Sequence, residues 1–441
     1  MAVAAVFFLY VLLIRTYDIA GTFLMLGEQT RDWTIALGGI TELPLTGAPS
    51  TAGGRGFGPV YYWILWLGRQ IVGPFTDNLP HAGGITVALV QSIADVWLLV
   101  ALWRRVGPWL AVAMSLLIAS APFDIAISSV IWNPPVSAAL IKMATAMALG
   151  LEASPPRWKI AVTVMLAWFA VQAHTSAIFV AGPLLLSLTL RSLVYQPKGS
   201  SLRGPGTTAG IIVIVVLALQ IPYFIALSRD PSAAAGPTVA ISRMANAQAF
   251  RIDRSYVAVV NTTGELLARQ FDAWTFQVPT LIAAAIVLIR WRRDPILLAL
   301  SVGGIAGAAI LFSSWTRPYD SYWFLTLTTA MVLTYGLAIA SIPSQRAIQW
   351  IGVALVAGVL VLQPTRVDQS NVFFKYPQYQ AMRVASYELA ARAPALRDIR
   401  VTFDVHPTMD KYFIYKILGG RMDPGAPQTA FVNADGSVRI E

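Results

Sequence analysis

Long apolar runs separated by short polar stretches dominate the chain. A helix needs about 20 mostly apolar residues to cross a bilayer. Runs of this kind occupy 2–25, 82–103, 108–122, 134–151, 158–172, 175–193, 209–227, 276–291, 296–313, 320–341 and 347–363, which predicts about eleven spans. The first run has no basic stretch ahead of it and no small-residue cleavage site after it, so it reads as a retained span. Arg15 and Asp18 fall three apart near its end, where they can offset each other's charge on one helical face. The stretch 59–75 is ambiguous, because it is rich in aromatics (Tyr61, Tyr62, Trp63, Trp66) and carries Arg69.

Charge resolves the ambiguity. If 59–75 does not cross, the loops 104–107, 152–159, 191–208, 290–294 and 342–346 share one side and hold eleven Lys or Arg. The short loops on the other side (123–133, 173–174 and 314–319) hold one, Arg317. Cytoplasmic loops are the basic ones, which puts the first set inside. Residues 59–75 then read as a helix lying in the outer interface, where aromatics and one arginine are at home. The outer side carries a first loop at 26–81, a second at 228–275 and the tail 364–441. The tail is more polar, with an amphipathic helix at 378–393, an alternating strand at 399–405 and a second helix at 409–418. The expected fold is an all-α polytopic membrane domain over 1–363, with interfacial helices in its first outer loop, followed by a small soluble α/β domain over 364–441.

Composition agrees. Hydrophobic residues make up 56% of the chain and charged ones 12%, with a mean hydropathy of +0.62. A soluble domain carries about twice that charged share. The absence of cysteine excludes a disulfide, a thiolate nucleophile and a Cys-bound metal. The net charge of +10 fits basic loops against anionic lipid rather than a nucleic-acid partner. No phosphate-binding glycine fingerprint or metalloprotease histidine pair is present, and His81, His174 and His406 are far apart in sequence. Without a cytoplasmic domain to bind a nucleotide, a lipid-borne substrate met at the outer face fits best.

The first outer loop reads Gly27-Glu28-Gln29-Thr30-Arg31-Asp32-Trp33, then a Gly- and Pro-rich segment to Gly58-Pro59-Val60-Tyr61-Tyr62. In order along the chain come Arg15-Thr16-Tyr17, Ala121-Pro122-Phe123 with Trp132-Asn133-Pro134, Gln172-Ala173-His174 and Arg317-Pro318-Tyr319-Asp320-Ser321-Tyr322. This series resembles the lipid-linked-sugar transferases of the GT-C superfamily, above all the aminoarabinose lipid A transferases and protein O-mannosyltransferases. The resemblance covers roughly residues 10–340, and order carries it more than any single motif. It departs in two places: Glu28 stands where the family usually has Asp, and Asn133 where it often has a second acid. A metal site built from both acids is thereby questioned, and a divalent metal stays an open option with no cofactor required.

The resemblance implies an inverting glycosyltransferase of the inner (plasma) membrane, with its site on the periplasmic side. Its donor would be a polyprenyl-phosphate sugar and its acceptor an outer-leaflet glycan, lipid or protein. A polyprenyl phosphate leaves as a weak base, so the remaining task is to take a proton from the incoming hydroxyl. Glu28 is the candidate general base, against the plainer reading of an interfacial charge. Arg31, Arg55 and Arg317 are candidate phosphate ligands, since guanidinium matches phosphate oxygens in pairs; the plainer reading is that they snorkel. Asp32 is a second acid or a solvated neighbour. Residues 53–58, rich in glycine, form a phosphate cradle, a gating loop or a simple connector. Tyr61, Asn133, His174 and Tyr322 are candidate substrate contacts by their place in the motifs, and His174 alternatively packs. Asn261-Thr262-Thr263 matches a glycosylation sequon. Lys142 lies inside a span, where an unpartnered lysine costs roughly 2.5–3.5 kcal/mol. It either pairs with Asp95 of span 82–103 or meets the donor phosphate. The competing functions are a transporter or flippase of a lipid-linked saccharide and a non-catalytic relative. A transporter is expected to show a repeat and acids near the midplane, whereas here no repeat is visible and most acids crowd the outer loops.

Overall fold

The structure, a computed structural model, describes residues 2–49, 54–152, 155–195, 203–234, 250–268, 274–315, 319–376, 378–392, 399–403, 413–421, 428–433 and 436–441. In chain order, α1 (Ala2–Thr16) and the short α2 (Ile19–Thr22) precede α3 (Gly27–Leu37) and α4 (Val60–Val72) of the first outer loop. Then come α5 (His81–Val106), α6 (Pro108–Ala119), the short α7 (Pro122–Ile127), α8 (Asn133–Leu149), α9 (Arg157–Ala173), α10 (Ile178–Val194) and α11 (Arg203–Arg229). The bundle continues with α12 (Ile252–Ala268), α13 (Trp274–Arg290), α14 (Pro295–Leu298), α15 (Gly304–Phe312), α16 (Leu327–Ile339) and α17 (Gln345–Phe374). Each span expected from the apolar pattern falls on helix. Among the described residues six helices are long and apolar enough to cross a membrane, and three more are apolar but shorter.

Boundaries follow local chemistry. Proline occupies the first turn of α6, α7 and α8, where its missing N–H is no loss. Gly107 turns the chain between α5 and α6 at φ 84°, a conformation that disfavours any side chain. Asp294 caps α14 by accepting from the Ile296 and Leu297 amides. Two arginines of the basic loops meet at the end of α8. Arg105 donates to the Leu149 carbonyl at 2.7 and 3.0 Å, and Arg191 donates to the Leu151 carbonyl at 3.2 Å. Arg105 and Arg191 thus reach the carbonyls at and just past the C-terminal end of α8.

Four charges meet in the interior. The Arg15 Nη2 lies 2.6 Å from carboxylate oxygens of both Asp95 and Asp124. The Lys142 Nζ lies 2.8 Å from Asp95 and 3.2 Å from Asp124. All four side chains are buried. Gln91 accepts from Lys142 at 2.8 Å, and Ser92 and Ser128 add hydrogen bonds to Arg15 and Asp124. Two cations and two carboxylates cancel, so each charge removed from water has compensation. This decides the open question about Lys142 for the ion pair: the lysine faces the bundle interior, and donor binding by Lys142 is not carried forward. It also corrects the local pairing of Arg15 with Asp18. Helix α1 stops at Thr16 and Asp18 sits at φ 57°, so the arginine reaches α5 and α7 instead.

Helix α4 fits the interfacial reading of 59–75, and two further segments differ from their expectation. Helix α4 has 13 residues, about 20 Å, which is too short to cross. Trp63, Leu67 and Ile71 form its exposed stripe and Tyr61, Tyr62 and Leu65 its buried one, as suits a helix lying in the interface. The second outer loop contains α12, and the sequon Asn261 lies within that helix, accepting from Gln277 at 3.0 Å with Thr262 and Thr263 buried. Helix α17 continues through Pro364 to Phe374, beyond the apolar run. Arg366, on the continuation, donates to the carbonyls of Leu117, Ser120 and Leu267, which ties this helix to the ends of α6 and α12.

The tail is a small α/β unit. β1 (Ile399–Phe403), β2 (Gln428–Val432) and β3 (Val438–Ile440) form one sheet in that order. β1 and β2 are parallel with Val401 opposite Ala430, and β2 and β3 antiparallel with Phe431 opposite Arg439. Helices α18 (Gln378–Ala391) and α19 (Phe413–Ile417) complete the unit. Ala385, Leu389, Tyr415, Ala430 and Val432 make its core. Another face of α18 buries Tyr379 and Met382 against the bundle.

Two expected outcomes follow from this architecture. Replacing Lys142 with Met leaves Arg15 alone against two aspartates, one negative charge uncompensated, and should cost about 3–5 kcal/mol, the range for breaking a buried pair. Adding Asp95→Asn should recover part of the loss, read as unfolding of the purified protein in detergent; a wild-type midpoint for Lys142→Met alone would refute the account. The chain has no native cysteine, so single cysteines report sidedness cleanly. Ser386 is fully buried and unsuitable, whereas Val384 is 49% exposed. A cysteine at Val384 should react with an impermeant maleimide added outside the inner membrane, and one at Arg104 only after that membrane is opened. The reverse pattern overturns the orientation.

Candidate active site

Helix α3 carries the acids of the first outer loop. Its start is fixed by Gln29, whose side-chain carbonyl accepts from the Leu26 amide at 3.1 Å and whose amide donates to the Ile131 carbonyl at 3.3 Å. Asp32 is buried, at 1% exposure, and both its oxygens accept hydrogen bonds. Arg31 Nε donates to it at 2.7 Å, Tyr61 at 3.0 Å and Tyr62 at 3.1 Å. Burial first, and then the Asp32 charge, push both phenols well above their ordinary range, so they stay protonated and donate. Glu28, one turn earlier and four residues away, is exposed. Its charge reaches Arg31, and among the described residues it has no hydrogen bond.

The glycine-rich segment is a hairpin. The amide of Gly47 donates to the Gly56 carbonyl and that of Gly56 to Ala48, both at 3.0 Å, with a bridge between Pro49 and Arg55. Its tip, 50–53, lies outside the described residues. A side chain at Gly58 would fall 2.4 Å from Gln172, which is itself held by the Leu219 carbonyl at 2.6 Å. Phe57 packs edge-on to Tyr223 at 5.8 Å. The segment is therefore built onto α9 and α11 rather than merely connecting. Arg55 is exposed, within electrostatic reach of both Tyr62 and Asp230.

A second group comes from three later motifs. The Asn133 amide donates to the Ala173 carbonyl at 2.8 Å. Tyr322 lies 4.4 Å from the Trp132 ring and 5.8 Å from the His174 ring. His174 Nδ1 is 2.7 Å from the Ser176 hydroxyl, and burial holds its imidazole down to about 4. Asn133, His174 and Tyr322, far apart in sequence, thus form one aromatic and polar wall. Gln29 joins this wall to α3 through Ile131. Arg317 lies outside the described residues. Lys142 belongs to the interior network and not to this face.

Tyr62, Gln29 and Gln172 escaped selection as site residues. Tyr62 had a signal in the Tyr-Tyr pair, but adjacent helical residues point about 100° apart, and only packing shows that both reach Asp32. A divalent metal stays an open option at this face, which holds the exposed carboxylate of Glu28 and the Asn133 side-chain oxygen. The Asn133 N–H donates to Ala173, Asp32 accepts three hydrogen bonds, and among the described residues no three of His, Asp or Glu gather.

No protein-family model matches the sequence, and no curated protein sequence matches it. Solved structures do. ArnT from Cupriavidus metallidurans, in an apo state and bound to undecaprenyl phosphate, aligns over 97% of this chain and 92% of its own, at 14% identity and a TM-score of 0.57. The oligosaccharyltransferase of Archaeoglobus fulgidus, in complex with zinc and sulfate, aligns over 96% of this chain and 62% of its own, at 12% identity and a TM-score of 0.51. The order of motifs implied the architecture that these structures share: the chain has the GT-C fold.

Proposed function

We propose that the chain is an inverting glycosyltransferase. It moves one sugar from a polyprenyl-phosphate donor to a glycan, lipid or protein acceptor at the outer face of the inner membrane. The observation that carries this reading is the contrast between two acids on one face of α3. Asp32 is closed off; Glu28 is open. A buried carboxylate held by three donors acts as a strut, whereas an exposed one is free to meet an incoming hydroxyl and take its proton. The lipid phosphates bound by the neighbours support the donor class: undecaprenyl phosphate in ArnT, dolichol phosphate in the archaeal enzyme.

The chemistry needs little else. The acceptor hydroxyl gives its proton to Glu28 as its oxygen bonds to the anomeric carbon. The bond from that carbon to the phosphate oxygen breaks on the opposite face, and polyprenyl phosphate leaves with the electron pair. Arg31, Arg55 and Arg317 are the proposed partners of the phosphate charge. Tyr61, with Tyr62, acts through Asp32 to hold Arg31. Asn133, His174 and Tyr322 are proposed to line the sugar, with the neutral imidazole as a hydrogen-bonding group rather than a cation.

Two variants separate the acids. Glu28→Gln keeps size and removes the base, so release of free polyprenyl phosphate from a radiolabelled sugar donor should fall about 10²-fold or more with unchanged unfolding. Near-normal turnover in that variant removes Glu28 from the mechanism. Asp32→Asn disturbs a buried hydrogen-bonded group and should lower stability by about 1–3 kcal/mol as well as activity. Wild-type stability in Asp32→Asn would show that the carboxylate is no strut.

A further inference from the structure

The seam between the tail and the first outer loop holds contacts that the proposed chemistry does not use. Tyr379 of α18 is fully buried. Its hydroxyl accepts from the His81 amide at 3.3 Å and lies 2.9 Å from His81 Nδ1, while its ring meets Phe23 at 5.4 Å. The Tyr376 amide donates to the Thr22 carbonyl at 2.8 Å, and Lys375 bridges to Phe23. Tyr387, further along α18, donates to the Asp77 carboxylate. Burial and that hydrogen bond push the Tyr387 phenol up to about 12, which keeps it a donor.

Asp77 and its neighbour link this seam to α3. Asp77 and Asn78 adopt φ of 53° and 57°. With Asp18, at 57°, they are the non-glycine residues of positive φ among the described residues, and all three lie where the tail meets the bundle. Asp and Asn tolerate this conformation better than other side chains, yet it persists only where surrounding contacts hold it. The Asn78 carbonyl accepts from the Trp33 indole at 2.6 Å, and its side-chain oxygen accepts from Arg69 at 3.3 Å. Trp33 is fully buried and adjoins Asp32. Below the helix, a side chain at Gly436 would fall 2.8 Å from the Ala381 carbonyl, so the turn before β3 rests directly on α18.

We propose that the C-terminal domain is a clamp on the first outer loop, with Tyr379 and Tyr387 as positioning residues that set where α3 presents Glu28 and Arg31. Force passes from the sheet to α18, from its two tyrosines to the turn at Asp77–Asn78 and to His81, and from that turn through Trp33 to α3. Among the described residues, no hydrogen bond joins the clamp to the hairpin bearing Arg55. Loosening it therefore displaces Glu28 and Arg31 together and leaves the proposed donor contact at Arg55 in place. The catalytic part rests on the reading of α3 as the carrier of the base.

The test uses the full-length protein in lipid nanodiscs with Tyr379→Phe and Tyr387→Phe combined, which keeps both rings and removes both hydroxyls. A single cysteine at the exposed Thr34 of α3 carries a nitroxide, and the chain contributes no other thiol. The double variant should show a more mobile label and a kcat about tenfold or more below wild type, with the donor KM within about threefold, since small misplacements act on the chemical step. Its unfolding midpoint should stay near wild type; if it drops, Tyr387→Phe alone is scored by the same two readouts. Wild-type mobility and kcat overturn the clamp, as does a loss confined to KM. If the wild-type protein transfers no sugar, the functional reading fails separately, and label mobility alone decides whether the tail holds α3.

Discussion

A closed set of four charges in a bilayer-spanning bundle organises this protein. Arg15, Asp95, Asp124 and Lys142 come from α1, α5, α7 and α8. None of them is tolerable alone at that burial, because the interior offers no water to hold an unpaired charge. Together they are neutral and hydrogen-bonded. The arrangement is also directional: both carboxylates contact both cations, so the four helices have few alternative registers. Intramembrane charge is often a sign of a transport path. Here the pairing of each carboxylate with both cations argues for a structural joint.

Both halves of the candidate site hang from that joint. Helix α1 leads through the kink at Asp18 to α3 and its acids. Helix α7 leads through Trp132 to Asn133 at the head of α8. The Gln29–Ile131 hydrogen bond then closes the gap between them. Glycine permits the rest of the approach. Gly83 on α5 admits Ile131 and Trp33 within distances that a side chain would forbid, and Gly58 does the same for Gln172. The outer face is thus assembled from loops, but those loops are built onto helices at contact distance. The proposed chemistry, a proton acceptor placed beside a lipid phosphate, requires such rigidity.

Much of this was legible in the sequence for a simple physical reason. A bilayer forces long apolar runs, and insertion forces basic loops to one side, so span positions and the sidedness pattern are written in one dimension. The interfacial nature of 59–75 followed from the same charge argument and agrees with a helix of 13 residues. The order of motifs was enough to imply the GT-C fold although no family model matches the sequence. Elements whose stability comes from neighbours were less visible. Helix α12 inside the second outer loop and strands β2 and β3 bury short patches against distant segments, and α17 runs past Pro364 because Arg366 ties it to three carbonyls.

The sequence by itself determined the class of the molecule, the location of its spans and the loops that bear its acids, arginines and aromatics. Those properties depend on local composition and on a solvent that acts on every residue alike. Tertiary structure decided how the acids differ. Glu28 and Asp32 are one turn apart and chemically near-equivalent along the chain; only the arrival of Tyr61, Tyr62 and Arg31 makes one a strut and leaves the other open. It likewise decided that Arg15 passes over Asp18, three residues away, for two aspartates about 80 and 109 residues distant. A carboxylate's role is set by the donors and the water around it, and those come from parts of the chain that sequence separation does not reveal.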